Sequence, residues 1–188
     1  MENHKNLIHV SIHTGVGAGI ILDHHLYTGF AGTAGEAGHM IVQPGGRSCP
    51  CGNHGCLEQY ISEPAVLSRY QELSGRTTVS IDDLVWSYNQ KEADALAVVD
   101  EFTTYLACGI NNLWNLFSPE CIILNSQLTA YLPQLLPEIL QKLSARFRAT
   151  CQLKLSTLQD TGVLLGAARV CISNYLGIEK LYFSGFQP

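Results

Sequence analysis

GEAGHMIVQPGGRSCPCGNHGCLE, residues 35–58, brings one histidine, His39, and three closely spaced cysteines, Cys49, Cys51 and Cys56, into a glycine-rich run with a carboxylate at either end, Glu36 and Glu58. Zn²⁺ takes thiolate sulfur and imidazole nitrogen in a tetrahedron, and a C-x-C-x₄-C loop supplies three sulfurs from one tight knuckle. The glycines permit the turns that such a knuckle needs. Gly52, directly after Cys51, is expected to let a backbone N–H turn toward the sulfurs. His39 precedes an expected strand at 40–43, and a reversal through Pro44, Gly45 and Gly46 returns the chain to set the cysteines beside it. Four such donors leave no coordination position for water or substrate, so the role implied is structural. Free thiols or disulfides, with an ordinary histidine, are the alternative. The CxC spacing and the lack of any sign of an oxidising compartment favour the metal. His54, inside the knuckle, is a rival ligand.

The rest of the chain bounds what this loop is set in. With 188 residues, 46% of them hydrophobic and 14% charged, the chain can bury a core and is neither disordered nor fibrous. One domain over 1–188 is expected, with the metal loop and its helices as an insertion at about 35–90. The net charge of −5 and the lack of any lysine or arginine run argue against a phosphate-binding face for nucleic acid. No apolar run reaches membrane-span length, and the MENHKNLIHV opening lacks a signal-peptide core, so a cytoplasmic location is expected. Cys108, Cys121, Cys151 and Cys171 are scattered through apolar segments and read as small core residues.

Taken in order, residues 7–12 read as a strand, 13–19 as a glycine-rich turn, 20–22 as a second strand and 26–28 as a short third. Helices are expected at 57–62, 64–73 and 80–88, the last opened by Ser80-Ile81-Asp82-Asp83. The longest helical pattern runs over 92–117, with Leu96, Val99, Leu106, Ile110, Leu113, Trp114 and Phe117 on one face and Pro119 beyond its end. A buried strand at 121–124, a helix at 131–149, a strand at 152–155 and a helix at 163–176 follow. The tail at 179–188 carries Tyr182, Phe183 and Phe186, read as packing on the domain. An antiparallel meander followed by helix, strand, helix, strand and helix is the order of an α/β layer of ribonuclease-H-like or actin-like type, a mixed sheet with flanking helices.

Glu36-Ala37-Gly38-His39 followed by Cys49-Pro50-Cys51-Gly52-Asn53-His54-Gly55-Cys56-Leu57-Glu58 resembles the signature of the ROK family. That family holds bacterial sugar kinases and sugar-responsive transcriptional regulators of the NagC and Mlc type. The likeness continues through the glycine turn and residues 161–168, and covers nearly the whole chain as the carboxyl-terminal half of such a protein. The resemblance implies zinc on His39, Cys49, Cys51 and Cys56, with no ligand role for His54. It implies sugar hydroxyls on Glu36 and Glu58, with His39 also facing the sugar. Without the resemblance, Glu58 is a favourable charge in a helix's first turn and Glu36 a solvated loop carboxylate. Thr14, Gly15, Gly17 and Gly19 resemble the kinases' second phosphate loop, or form a hairpin that needs small residues.

Kinases of this family take their carboxylate base and first phosphate loop from an amino-terminal half whose motifs are not found here. Where kinases carry consecutive glycines beside the nucleotide, this chain has Asn125, Ser126 and Gln127. The expectation is therefore a non-catalytic portion of a regulator that binds a sugar or sugar phosphate and assembles as a homodimer or higher oligomer. It would reach DNA only through an amino-terminal helix-turn-helix absent from this chain. A kinase half and a zinc-stabilised scaffold docking a sugar-transporter protein are the alternatives.

Overall fold

The computed structural model of the chain describes residues 4–158 and 161–177, with the side chains of Ser173 and Asn174 left aside. The chain forms two compact units, Met1–Ser156 and Thr157–Pro188. The second holds one helix, Thr161–Leu176, where a helix at 163–176 is expected. The aromatic tail lies outside the described residues.

The first unit is built on a five-stranded mixed sheet of order β3-β2-β1-β4-β5. β1 (Leu7–Ile12) alternates cleanly, burying Ile8, Val10 and Ile12 on one face. It pairs antiparallel with β2 (Val16–Leu22) and parallel with β4 (Cys121–Ser126). β3 (His25–Leu26) extends the sheet beyond β2, and β5 (Gln152–Leu155) runs parallel to β4. β4 is apolar from Cys121 to Leu124, as a strand flanked by parallel neighbours and covered by helices requires, and ends on the buried polar pair Asn125 and Ser126. This is the ribonuclease-H-like, actin-like layer that the order of elements implies.

The helices of this unit are α1 (Glu58–Ile61), α2 (Glu63–Ser74), α3 (Ile81–Asn89), α4 (Ala93–Phe117), α5 (Gln127–Tyr131), α6 (Leu135–Lys142) and α7 (Ala145–Thr150). α3 begins with a reciprocal cap, Ser80 accepting from the Asp83 N–H and Asp83 accepting from the Ser80 N–H. α4 is the central helix, with Val98, Val99, Phe102, Leu106, Ile110, Leu113 and Trp114 buried. Leu96, assigned to that face from its spacing, is exposed, and Ala95 takes the inward position. α4 ends at Ser118 in a left-handed conformation, its N–H bonded to the Trp114 carbonyl, just before Pro119.

Three expected elements differ. Gly17, Ala18 and Gly19 are not a turn but the body of β2, paired with Ser11, Val10 and His9, and the hairpin tip shrinks to His13–Gly15. The reason lies outside β2: the loop at 33–38 lies against it, with the Ala18 N–H bonded to the Gly35 carbonyl at 2.7 Å. A Cβ on Gly38 would stand 2.4 Å from the Val16 carbonyl oxygen. The expected helix at 131–149 is broken into two short ones, α6 and α7, behind an α5 that ends at Tyr131. Pro133 removes a donor and restricts Leu132, and Ser144 starts α7 afresh by accepting from the Phe147 N–H at 3.2 Å. The expected strand at 40–43 is reduced to one antiparallel bridge, Ile41 with Cys56.

Candidate functional site

Glu36 starts a single 3-10 turn, Ala37–His39, closed by the His39 N–H on the Glu36 carbonyl at 3.1 Å. The chain then runs outward and returns. Val42 and Gln43 both donate to the Gly55 carbonyl, at 2.9 and 3.2 Å, and the Leu57 N–H returns to the Met40 carbonyl at 2.8 Å. Between these rungs the knuckle closes on itself through Cys49 N–H to Asn53 carbonyl and Gly52 N–H to Cys49 carbonyl, each 2.9 Å. The Gly52 N–H therefore serves a carbonyl rather than a sulfur.

This fold-back brings His39, Cys49, Cys51 and Cys56 together, one donor atom from each lying within 4.8 Å of all the others. Cys51 and Cys56 sulfurs are 3.7 Å apart, and Cys49 sulfur is 3.6 Å from His39 Nδ1. A tetrahedral ion with sulfur at about 2.3 Å and nitrogen at about 2.0–2.1 Å has donor–donor edges of about 3.8 and about 3.5 Å. The two measured edges fit it, so this donor set can hold a metal ion. His54 is exposed and stands outside the group. Burial pushes the Cys56 thiol up to about 12, with the neighbouring Cys49 and Cys51 adding to the shift. The exposed Cys51 is shifted the other way, chiefly by the Asn53 backbone amide. Gln59 Nε2 lies 3.7 Å from the Cys49 sulfur as outer support.

His39 points Nδ1 at the sulfurs and turns Nε2 toward Glu36, whose Oε2 is 3.8 Å away and whose side chain is exposed. Glu58 opens α1, in the first-turn position, and is half-buried. Its Oε2 accepts the Val16 N–H at 3.0 Å, tying it to the β1–β2 hairpin. Of the four phosphate-loop candidates, Thr14 and Gly15 sit at that hairpin tip, whereas Gly17 and Gly19 lie within β2.

Two polar groups escaped the sequence reading. His13, at the carboxyl end of β1, has Nδ1 3.4 Å from Glu63 Oε1 and Nε2 3.4 Å from the Asn125 amide nitrogen, linking the head of α2 to the end of β4. The other is Arg47, whose guanidinium meets Glu101 of α4 at 2.5 Å and stacks 4.6 Å over the Tyr60 ring. A lone arginine beside a cysteine knuckle is a weak signal, and nothing in the sequence ties it to a carboxylate 54 residues away. No helix among the described residues is long and apolar enough to cross a membrane.

Comparison with known proteins adds to this geometry. A family profile described as the ROK family matches residues 1–173. Over 184 residues the chain is 35% identical to a xylose repressor of Bacillus spizizenii, a match covering 96% of this chain and 47% of that protein. It is 31% identical over 181 residues to a glucokinase of Halalkalibacterium halodurans, covering 86% of this chain and 55% of the other. Among solved structures, a ROK family transcriptional regulator described as a homologue of the Escherichia coli Mlc protein superposes with a TM-score of 0.73 at 31% identity, over 93% of this chain and 47% of that one. The chain thus spans about half the length of the curated relatives it matches.

Proposed function

The chain belongs to the ROK family, and from that premise we propose that it is the effector-binding and oligomerisation portion of a sugar-responsive transcriptional regulator, without catalytic activity of its own. One observation carries the reading: the imidazole of His39 has one nitrogen among three sulfurs and the other beside a carboxylate. The ion proposed is zinc, held by His39, Cys49, Cys51 and Cys56; bound there it supplies a cross-link and fixes the tautomer of the ring. With Nδ1 engaged, Nε2 carries the proton and donates to a sugar oxygen. Glu36 and Glu58 accept from neighbouring hydroxyls, Glu58 through Oε1 while Oε2 stays on Val16.

Thr14 and Gly15, with Gly17 and Gly19 behind them, are assigned to the phosphate of a phosphorylated effector. The effector favours one arrangement of the assembled protein over another, and the regulator responds by that difference in affinity. DNA recognition is assigned to a segment outside these residues, homodimers or higher homo-oligomers are the proposed assembly, and a sugar-transporter protein is the proposed docking partner. The named relatives support a sugar as effector, one being called a xylose repressor and another a glucokinase. The second of these favours a sugar-kinase half as the other reading. Against it stands Asn125, a buried side chain lying on His13 in a stretch where a nucleotide calls for bare backbone.

Titration calorimetry with D-xylose, D-glucose and their phosphates tests the proposal. Binding should be measurable for at least one of them. Glu36→Gln and Glu58→Gln should each weaken it roughly 10- to 100-fold, the range for losing a hydrogen bond to a charged group, with metal content unchanged. Absence of binding by the whole panel would rule out the effector role, and ATP-dependent phosphorylation of any of these sugars by the full-length protein would reinstate the kinase.

A further inference from the structure

Arg47 lies two residues before the first metal-loop cysteine, yet its side chain makes no contact with the four donor residues. Its Nη2 meets Glu101 of α4 at 2.5 Å, and its Nη1 donates to the Gln59 carbonyl at 2.8 Å. Its own backbone N–H donates to the Tyr60 hydroxyl at 2.9 Å, and its guanidinium covers the Tyr60 ring. Tyr60 is in turn stacked on Tyr105 of α4, with ring centres 4.0 Å apart. The second oxygen of Glu101 takes Arg69 Nε at 3.1 Å. All three charged groups are half-buried, and the carboxylate and two guanidiniums fix one another through charge-assisted bonds.

The residues that Arg47 grips, Gln59 and Tyr60, directly follow Glu58. α1 is only four residues long and has no side-chain cap at its start, so its own backbone bonds hold it weakly. Leu57, Tyr60 and Ile61 seat α1 in the core, and two polar ties act beside that packing: Glu58 on Val16 on one side, and Arg47, anchored on α4, on the other. We propose that Arg47 and Glu101 are positioning residues for effector recognition, an ionic latch that sets α1, and with it Glu58, against the β1–β2 hairpin without touching metal or sugar.

The binding arm of the test rests on the sugar reading; a second arm does not. Arg47→Met and Glu101→Gln should each weaken sugar affinity roughly tenfold with metal stoichiometry retained, the scale seen when a supporting hydrogen bond behind a ligating group is lost. The double variant should be no worse than either single one, since both break the same link. Arg69→Met removes charge from the same cluster but contacts nothing in the loop. It should lower the melting temperature and leave sugar affinity within about twofold; a merely structural cluster would instead make all three variants behave alike. Independently of any sugar, hydrogen exchange at the Val16 amide reports whether Glu58 is held. Its protection should fall roughly tenfold in Arg47→Met and Glu101→Gln but not in Arg69→Met. Unchanged Val16 protection in the first two variants would overturn the latch even if sugar binds. Lost protection with no sugar bound by the wild type would keep the latch and reject the sugar reading.

Discussion

Cys56→Ser is expected to abolish metal binding at the proposed zinc site and to lower the melting temperature by roughly 10 °C, the shift that about 3–5 kcal/mol produces in a chain of this size. Cys56 is fully buried and its sulfur is one corner of the donor set. A serine hydroxyl is a harder donor that keeps its proton at neutral pH, so it does not replace the sulfur. The remaining donors lie on two strands of the fold-back, and the rungs between 40–43 and 55–57 then stand on hydrogen bonds alone. Metal stoichiometry and calorimetric melting, each with and without chelator, give the answer. Wild type should fall to the level of the variant once chelator is added, and a variant that keeps full metal and normal melting would disprove the structural role. The pH dependence should also change sign with loading. Metal-free, burial raises the Cys56 thiol from its usual 9.0 to about 12. The unfolded chain then releases a proton above about pH 9 that the folded chain retains, so this contribution is full below that pH and is lost as pH rises toward 12. Metal-loaded, the same sulfur is held as thiolate, protons compete for it, and stability is lost on acidification instead.

Much of this was legible because the local signals agree with the long-range packing. The alternation of β1, the apolar run Cys121–Leu124 of β4 and the three-four spacing along α4 each report which face is buried, and burial is what the sheet order needs. The cysteine spacing announced the donor set for a similar reason: a knuckle is local, and only His39 had to be brought in from outside it. What the sequence hid is set by neighbours distant along the chain. Gly17 and Gly19 look like turn residues because small residues also make turns. The glycines that the packing against β2 requires are instead Gly35 and Gly38 of the facing loop, where an added Cβ would stand 2.1 Å from the Ala18 carbonyl oxygen and 2.4 Å from that of Val16. Leu132, Leu135, Ile139, Leu143 and Phe147 keep a helical rhythm across two breaks, since short helices packed end to end bury the same stripe as one long helix would. Arg47 and Glu101 meet only because α4 passes behind the metal loop, and no spacing rule connects them.

Gly55→Ala should be the most damaging single methyl in the metal loop, with an expected loss of about 3–5 kcal/mol and a fall in melting temperature of roughly 8–15 °C. Gly55 has φ +81°, where a side chain already costs about 1–2 kcal/mol. A Cβ built there would lie 1.7 Å from the Gln43 carbonyl oxygen and 2.6 Å from its carbon, both backbone atoms that cannot rotate away. The clash can be relieved only by separating the two strands of the fold-back. That strains the two bonds accepted by the Gly55 carbonyl and the one its N–H donates to the Arg47 carbonyl at 2.7 Å. Those bonds set the spacing between Cys56 and the knuckle that carries Cys49 and Cys51, so metal affinity should fall together with stability, although no ligand has been altered. Gly52→Ala is the control: its φ is also positive, at +96°, but nothing lies within 4 Å of the added carbon, so it should cost only the backbone term. Equal losses in the two variants would mean that the left-handed backbone, and not the close approach to Gln43, is what requires glycine at position 55.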